Sequence, residues 1–407
     1  MVPDFFLKRS KTVLKAILID CIPPNLSQEE AEYRILEAEN LIKTYGGVVL
    51  VKKIQKKLIP NYATYLGSGK IDEIIEENKT AGKDKKANII IINNELKPRQ
   101  TYNLSEKIRK HDLKVWDRID LILKIFQKHA STKEAKLEIE LASIKHMGPR
   151  IFGMGIELSR QAGGIGTRGR GETNIEFMRR HLKKMEQSIK KDLEKCRKVR
   201  KLHRKSRKRK NLKTVGIIGY TNAGKTSLLN TLTGKGAMAA DKLFATLDTR
   251  VGKLVFPPKT LQEKSAGQHA PLQPNFGQRP PSEVLISDTI GFIQNLPPQL
   301  IKSFQSTLEE TIEADLLLHV IDISDPKMND KIKTVNEILA QIDVLTKPSI
   351  YVFNKTDIPH TKNQAALARK YKKYTPCFVS TYKKEGLEPL KETIRERIFT
   401  LSSSDDQ

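Results

Sequence analysis

The chain has 407 residues, 73 of them Lys or Arg against 47 Asp or Glu, a formal net charge of +26, and that length has room for two or three domains. No apolar run of about eighteen residues occurs, so a transmembrane helix is excluded, and Cys21, Cys196 and Cys377 stand too far apart for a disulfide framework or a zinc site. The first residues lack a long apolar segment and a small-residue cleavage site, so no secretory signal is expected; the expectation is a cytoplasmic monomer, with peripheral association to a membrane left open.

The charge is unevenly placed. Residues 211–407 hold 25 Lys or Arg and 21 Asp or Glu, whereas residues 1–210 hold 48 and 26, a net of +22. Such an asymmetry predicts a polyanionic partner for the first half.

Residues 13–20 read as a strand, followed by a polar helix from the Ser27 capping signal to Gly46-Gly47. Strands at 48–51 and 88–92 and helices at 68–78 and 98–110 complete a small parallel α/β layer, taken as residues 1–133. The basic, glycine-containing stretch 62–70 reads as a strand-to-helix turn and is not a complete phosphate loop.

From residue 134 the pattern becomes helical. Leu137, Leu141 and Ile144 form one apolar stripe, and Leu182, Met185, Ile189, Leu193, Cys196 and Val199 form a second, longer one. Two such helices bury their stripes on each other as a long antiparallel hairpin, assigned to residues 134–210. Residues 161–173, with five glycines among thirteen positions, predict a loop at its tip. Arg160, Arg168 and Arg170 punctuate that loop and, with Arg179 and Arg180, are candidate RNA contacts. Residues 179–210 carry 17 Lys or Arg against 3 Asp or Glu, a connector that self-repels without a polyanion.

Residues 211–407 carry the chemistry. Gly219, Tyr220, Thr221, Asn222, Ala223, Gly224, Lys225 and Thr226 fit G-x-x-x-x-G-K-[ST], between a short apolar strand and a helix start. Backbone N–H groups of such a loop, with the helix N-terminus behind them, cradle phosphates. Lys225 would reach the terminal phosphates and Thr226 would bind Mg²⁺. Phe244, Ala245, Thr246, Leu247 and Asp248 make a candidate first switch, with Thr246 as a second Mg²⁺ ligand. Asp288, Thr289, Ile290 and Gly291 form D-x-x-G after an apolar strand, placing a carboxylate near the metal's hydration shell and a glycine N–H near the γ-phosphate. Asn354, Lys355, Thr356 and Asp357 form N-K-x-D: the carboxylate accepts from the paired donors of guanine, Lys355 lies over the base and Asn354 ties loops together. Ser380 and Thr381 bring backbone N–H groups toward the guanine carbonyl oxygen. The order of these motifs predicts a G domain, a doubly wound, mostly parallel sheet that binds GTP and GDP. Phe292 stands where many GTPases carry a water-positioning Gln, which predicts slow intrinsic turnover; Gln294 is a weak substitute and the catalytic group stays unassigned.

The chain resembles the HflX family of ribosome-associated GTPases. Residues 160–173 look like that family's G-G-x-G-x-R-G-x-G-E-T loop, and residues 64–70, 93–96 and 117–123 are similar to its other signatures. Arg170 and Met178 depart from the family's usual Pro and Asp, the first switch is shorter than usual, and 257–282 is a Pro/Gln/Gly-rich insertion. The resemblance implies a Mg²⁺-dependent GTPase whose first half binds the large ribosomal subunit and its rRNA and helps split or rescue stalled ribosomes. A GTP-dependent RNA-binding switch in ribosome assembly or tRNA modification stays open beside it.

Overall fold

The computed structural model describes residues 13–161, 168–209, 212–234, 250–257, 282–289, 291–293, 300 and 311–400. The chain forms two compact units that divide between Cys196 and Arg197.

In the first unit, β1 (Lys15–Ile22), β2 (Val48–Lys56), β3 (Ile89–Ile92) and β4 (Lys114–Asp117) form a parallel sheet in the order β2-β1-β3-β4. The central strands β1 and β3 are buried along almost their whole length, as strands covered on both faces must be. β2 runs past residue 51 to Lys56 as an edge strand, along which Lys52, Ile54 and Lys56 alternate outward. β4, only Lys-Val-Trp-Asp, is too short to show a period in sequence. Between the strands come α1 (Gln28–Tyr45), α2 (Ser68–Thr80) and α3 (Pro98–Ile108), and α4 (Arg118–His129) follows β4. Ser27 Oγ caps α1 by accepting from the Glu30 N–H at 3.2 Å, and Gly46 ends it at φ +97°. The turn read at 62–70 leads into α2, with Gly67 at its N-cap.

The hairpin consists of α5 (Lys133–Gln161) and α6 (Arg168–Arg209). Leu141 and Ile144 pack against Leu182, Ile189 and Leu193, with Leu137, Met178 and Met185 at the margin, so the expected stripes do meet. Val199, expected in the second stripe, is 53% exposed. The expected loop is shorter than residues 161–173. Arg160 and Gln161 belong to α5, and Arg168 to Thr173 already belong to α6. A glycine costs a helix about 1 kcal/mol relative to alanine, and cooperative propagation carries a long helix through two of them. Residues 162–167 lie outside the described residues.

A buried polar network joins these elements. Arg34 donates to both oxygens of Asp20 at 2.9 and 3.0 Å, and Asn93 Nδ2 donates to Asp20 at 3.0 Å. Arg118 bonds Asn93 Oδ1 at 2.6 Å and Glu37 at 2.7 Å. Asp117 and Asp120 cap α4 reciprocally at 2.8 and 3.1 Å. From α5, Arg150 then donates to Asp120 at 2.7 Å and to Asp117, and His146 Nε2 lies 3.2 Å from Asp120. Asp117, Asp120 and His146 have metal-ligand chemistry, but Arg150 already sits on both carboxylates, so the cluster is a charge-balanced clamp.

In the second unit, β5 (Lys213–Gly219), β6 (Arg250–Phe256), β7 (Ser282–Asp288), β8 (Leu316–Asp322), β9 (Ser349–Asn354) and β10 (Cys377–Phe378) form one sheet ordered β10-β9-β8-β5-β7-β6. All neighbours are parallel except β6 against β7. Its helices include α7 (Lys225–Thr233), α8 (Met328–Gln341), α9 (Gln364–Lys370) and α10 (Leu387–Thr400). Val215 and Ile217 of β5, with Leu228 and Leu232 of α7 and Leu390 and Ile394 of α10, anchor the core on one face. This is the expected α/β fold with a mostly parallel doubly wound sheet, and its parallel strands end together on one edge. The three cysteines are free thiols, and no helix among the described residues is long and apolar enough to cross a membrane.

Candidate functional site

The carboxyl edge of the second sheet collects residues from five of its strands. Gly219 ends β5 at φ +149°, and a Cβ there would lie 2.3 Å from the Val320 carbonyl oxygen. Gly224 precedes α7 at φ +94°, and a Cβ there would lie 2.2 Å from Asn354 Nδ2. Both positions need glycine because backbone and amide crowd against them in a region that favours it. Asn354 is itself fixed: Nδ2 donates to the Ala223 carbonyl at 2.9 Å, and Oδ1 accepts from the Thr381 N–H at 3.1 Å. The asparagine of N-K-x-D thus ties the phosphate loop to the Ser-Thr turn. Gly224→Ala is expected to weaken GDP binding at least about a hundredfold, roughly 2.7 kcal/mol. Equilibrium titration with GDP checks it, and affinity within a few-fold of the parent would refute the packing argument.

Lys225 Nζ donates to the Tyr220 carbonyl at 2.8 Å. Burial pushes its ammonium down to about 8, with the Asp288 carboxylate opposing, so it stays mostly charged at neutral pH. The Thr226 hydroxyl donates to Asp288 Oδ2 at 2.7 Å. Thr289 Oγ1 donates to the Ile217 carbonyl at 2.7 Å, which pins the D-x-x-G segment to β5. The segment is also stitched to the loop: Phe292 N–H donates to the Gly219 carbonyl at 3.1 Å and Thr221 N–H to the Phe292 carbonyl at 2.8 Å. At Gly291 a Cβ would lie 2.8 Å from both Lys225 Nζ and Thr221 Cγ2, so the glycine faces the phosphate-loop lysine.

At the other end, Ser380 Oγ donates to Asp357 Oδ1 at 2.6 Å and orients the carboxylate. Thr356 N–H donates to the Val379 carbonyl at 3.3 Å. Lys355, at φ +66°, pairs with Asp322 at 2.6 Å. Asp322 and Lys331, whose ammonium lies 4.6 Å from the Tyr220 ring centroid, extend the site beyond the sequence motifs. His319 does so too, and its only sequence signal is a lone imidazole in the apolar run Leu316-Leu317-Leu318-His319-Val320.

Phe244, Ala245, Thr246, Leu247, Asp248, Ile290 and Gln294 lie outside the described residues. Of the arginines proposed for RNA, Arg179 and Arg180 are exposed on α6. Arg160, Arg168 and Arg170 are helical, and their side chains lie outside what is described.

The edge therefore offers a phosphate loop with an ammonium at its base, a hydroxyl–carboxylate pair, and an oriented carboxylate for a base. Three family models match the chain in order: a GTP-binding GTPase N-terminal model over residues 32–127, a GTP-binding GTPase middle-region model over 129–207 and a 50S ribosome-binding GTPase model over 214–355. The chain is 40% identical over 389 residues to GTPase HflX of Caldanaerobacter subterraneus, covering 95% of this chain and 81% of that one. It is 35% identical over 332 residues to GTPase HflX of Escherichia coli, covering 82% and 71%. A crystal structure of SsGBP in complex with GDP superposes with a TM-score of 0.50 at 27% identity, covering 96% of this chain and 100% of that one. Likeness at this level over nearly the whole length, added to the site's geometry, makes the chain a member of the HflX family of GTPases.

Proposed function

We propose that this GTPase couples its nucleotide cycle to binding of the large ribosomal subunit, and that it splits or rescues stalled ribosomes under stress. The cationic helix α6 carries the reading. It presents Arg179, Arg180, Lys183, Lys184, Lys190 and Lys191 as exposed residues while Leu182 and Ile189 face α5. A row of cations on one solvent-facing side suits an RNA phosphate backbone and binds it in a salt-dependent way. The description of the matched model as a 50S ribosome-binding GTPase supports the same partner.

In this reading residues 219–226 wrap the phosphates and Lys225 neutralises charge on the transferred group. Thr226 and Thr246 would hold Mg²⁺, with Asp288 ordering its hydration shell. The donors fit, because the Thr226 hydroxyl and Asp288 carboxylate are hard oxygens 2.7 Å apart beside the loop. When bound, the ion draws off charge developing on the phosphate oxygens. Asp357 reads guanine. Phe292, 2% exposed, has no hydrogen-bonding group to orient water, so turnover is slow until the ribosome supplies or repositions one.

Sedimentation with ribosomal subunits tests the proposal. Large subunits should carry down the chain bound to a non-hydrolysable GTP analogue about tenfold more than the GDP-bound chain, and their addition should raise turnover. Equal sedimentation in both states overturns the coupling. Preference for assembly precursors or free tRNA transfers the assignment to a role in ribosome assembly or tRNA modification.

A further inference from the structure

A cavity of about 70 Å³ lies behind the phosphate loop, between residues 220–223, the end of β8 from His319 and the start of α8 at Met328. Two polar atoms of residues in its wall are buried with no hydrogen-bond partner among the described residues: Thr221 Oγ1 and His319 Nδ1. The residues are 4% and 2% exposed. A buried polar group left unsatisfied costs about 1–3 kcal/mol, and folded proteins keep few of them. Two such residues lining one pocket mark a place for a hydrogen-bonding molecule. A void needs only about 10–15 Å³ to hold one water, so this one has room for water.

Both residues touch the machinery of the phosphate site. Thr221 lies where the loop meets D-x-x-G: its Cγ2 and Cα would be 2.8 and 3.0 Å from a Cβ at Gly291, and its N–H bonds the Phe292 carbonyl. His319 pairs with Ile218 in the sheet and packs edge-on against Tyr351, ring centroids 4.8 Å apart. Burial, and then the Lys225 charge, push its imidazole down to about 3, so the ring is neutral at any ordinary pH. A neutral imidazole has one nitrogen that donates and one that accepts, which lets it terminate a water bridge in either direction.

We propose that Thr221 and His319 form a water-bridged pair that holds the D-x-x-G segment against the phosphate loop. His319 is then a positioning residue for GTP hydrolysis, acting through Thr221. This rests on the assignment of residues 219–226 and 288–291 to the phosphates. A merely structural role for His319 would be served by any ring that stacks on Tyr351, so the nitrogen is what must be tested.

The experiment compares Thr221→Val, Thr221→Ser, His319→Phe and the double variant Thr221→Val/His319→Phe in the full-length chain. Single-turnover GTP hydrolysis and GDP affinity are measured on each. Thr221→Val and His319→Phe should each slow hydrolysis about five- to twentyfold, and in His319→Phe, outside the phosphate loop, GDP affinity should fall less than about threefold. The double variant should be no slower than the worse single one, because both break the same bridge. Thr221→Ser should recover most of the rate. Additive losses, an unaltered rate in His319→Phe, or a parallel loss of GDP affinity in His319→Phe overturn the proposal. Should His319→Phe fail to fold, the Val against Ser comparison at 221 decides alone. Failure of the unsubstituted chain to bind GDP would instead refute the underlying phosphate-site reading.

Discussion

Asp357→Asn will turn the site from guanine toward xanthine nucleotides. In the parent chain the Asp357 carboxylate is oriented by the Ser380 hydroxyl at 2.6 Å, and in the proposed reading it would accept from the ring N–H and 2-amino group of guanine. Each hydrogen bond to a charged partner contributes about 1.5–3 kcal/mol. An amide loses the charge and turns a donor toward a donor, so GTP affinity should fall about a hundred- to a thousandfold, at 1.4 kcal/mol per tenfold. Xanthine carries an oxygen where guanine has the amine, and the same amide can donate to it. Competition binding with XTP and GTP measures the ratio directly; a variant that still prefers GTP would remove Asp357 from the base site. The fold should be indifferent, because the side chain is only half-buried.

Arg150→Met should destabilise the first unit by about 3–5 kcal/mol, the cost of breaking a buried ion pair from one side. The guanidinium is 4% exposed and bonds Asp117 and Asp120, which are 0% and 2% exposed. Methionine of similar length strips the guanidinium from two buried carboxylates and leaves them the backbone N–H bonds of the α4 cap and His146. Urea unfolding of the full chain, followed through Trp116, reads the loss. Unchanged stability would mean that water reaches the carboxylates. The same cluster predicts a pH signature in the parent chain. Burial alone would lower His146, but hydrogen bonds to Asp117 and Asp120 and their charges outweigh it and raise it to about 9. A raised histidine stabilises the fold fully below its unfolded value, about 6.5, and loses that contribution as pH rises through about 9. For Asp120, burial works upward, but His146 and Arg150 win and hold it well below the usual carboxylate range. Its contribution is present above the unfolded value and is lost as pH falls. The first unit should therefore be most stable between these limits.

How much of this was legible beforehand differs between the units. The second was nearly transparent, because each motif carries its own backbone geometry. Gly219 and Gly224 announce positive φ, Asp288 ends an apolar strand, and Asn354 to Asp357 follow another. In the first unit the stripes Leu137-Leu141-Ile144 and Leu182-Ile189-Leu193 predicted the hairpin correctly. The extent of its loop was misjudged, because counting glycines ignores cooperative propagation of a helix into Arg168–Thr173. β4 was too short to declare itself.

Chain order and residue type were enough to determine a GTPase fold, the N-K-x-D motif at the end of β9 and the cationic character of the first half, since these depend on neighbours within a few residues and on composition. Only the tertiary structure decided that Arg150 and His146 close on Asp117 and Asp120 across about thirty positions, and that His319 lines a pocket beside the phosphate loop, within reach of the Lys225 charge. Those meetings are set by which faces pack together, and burial at long range leaves no period in a sequence.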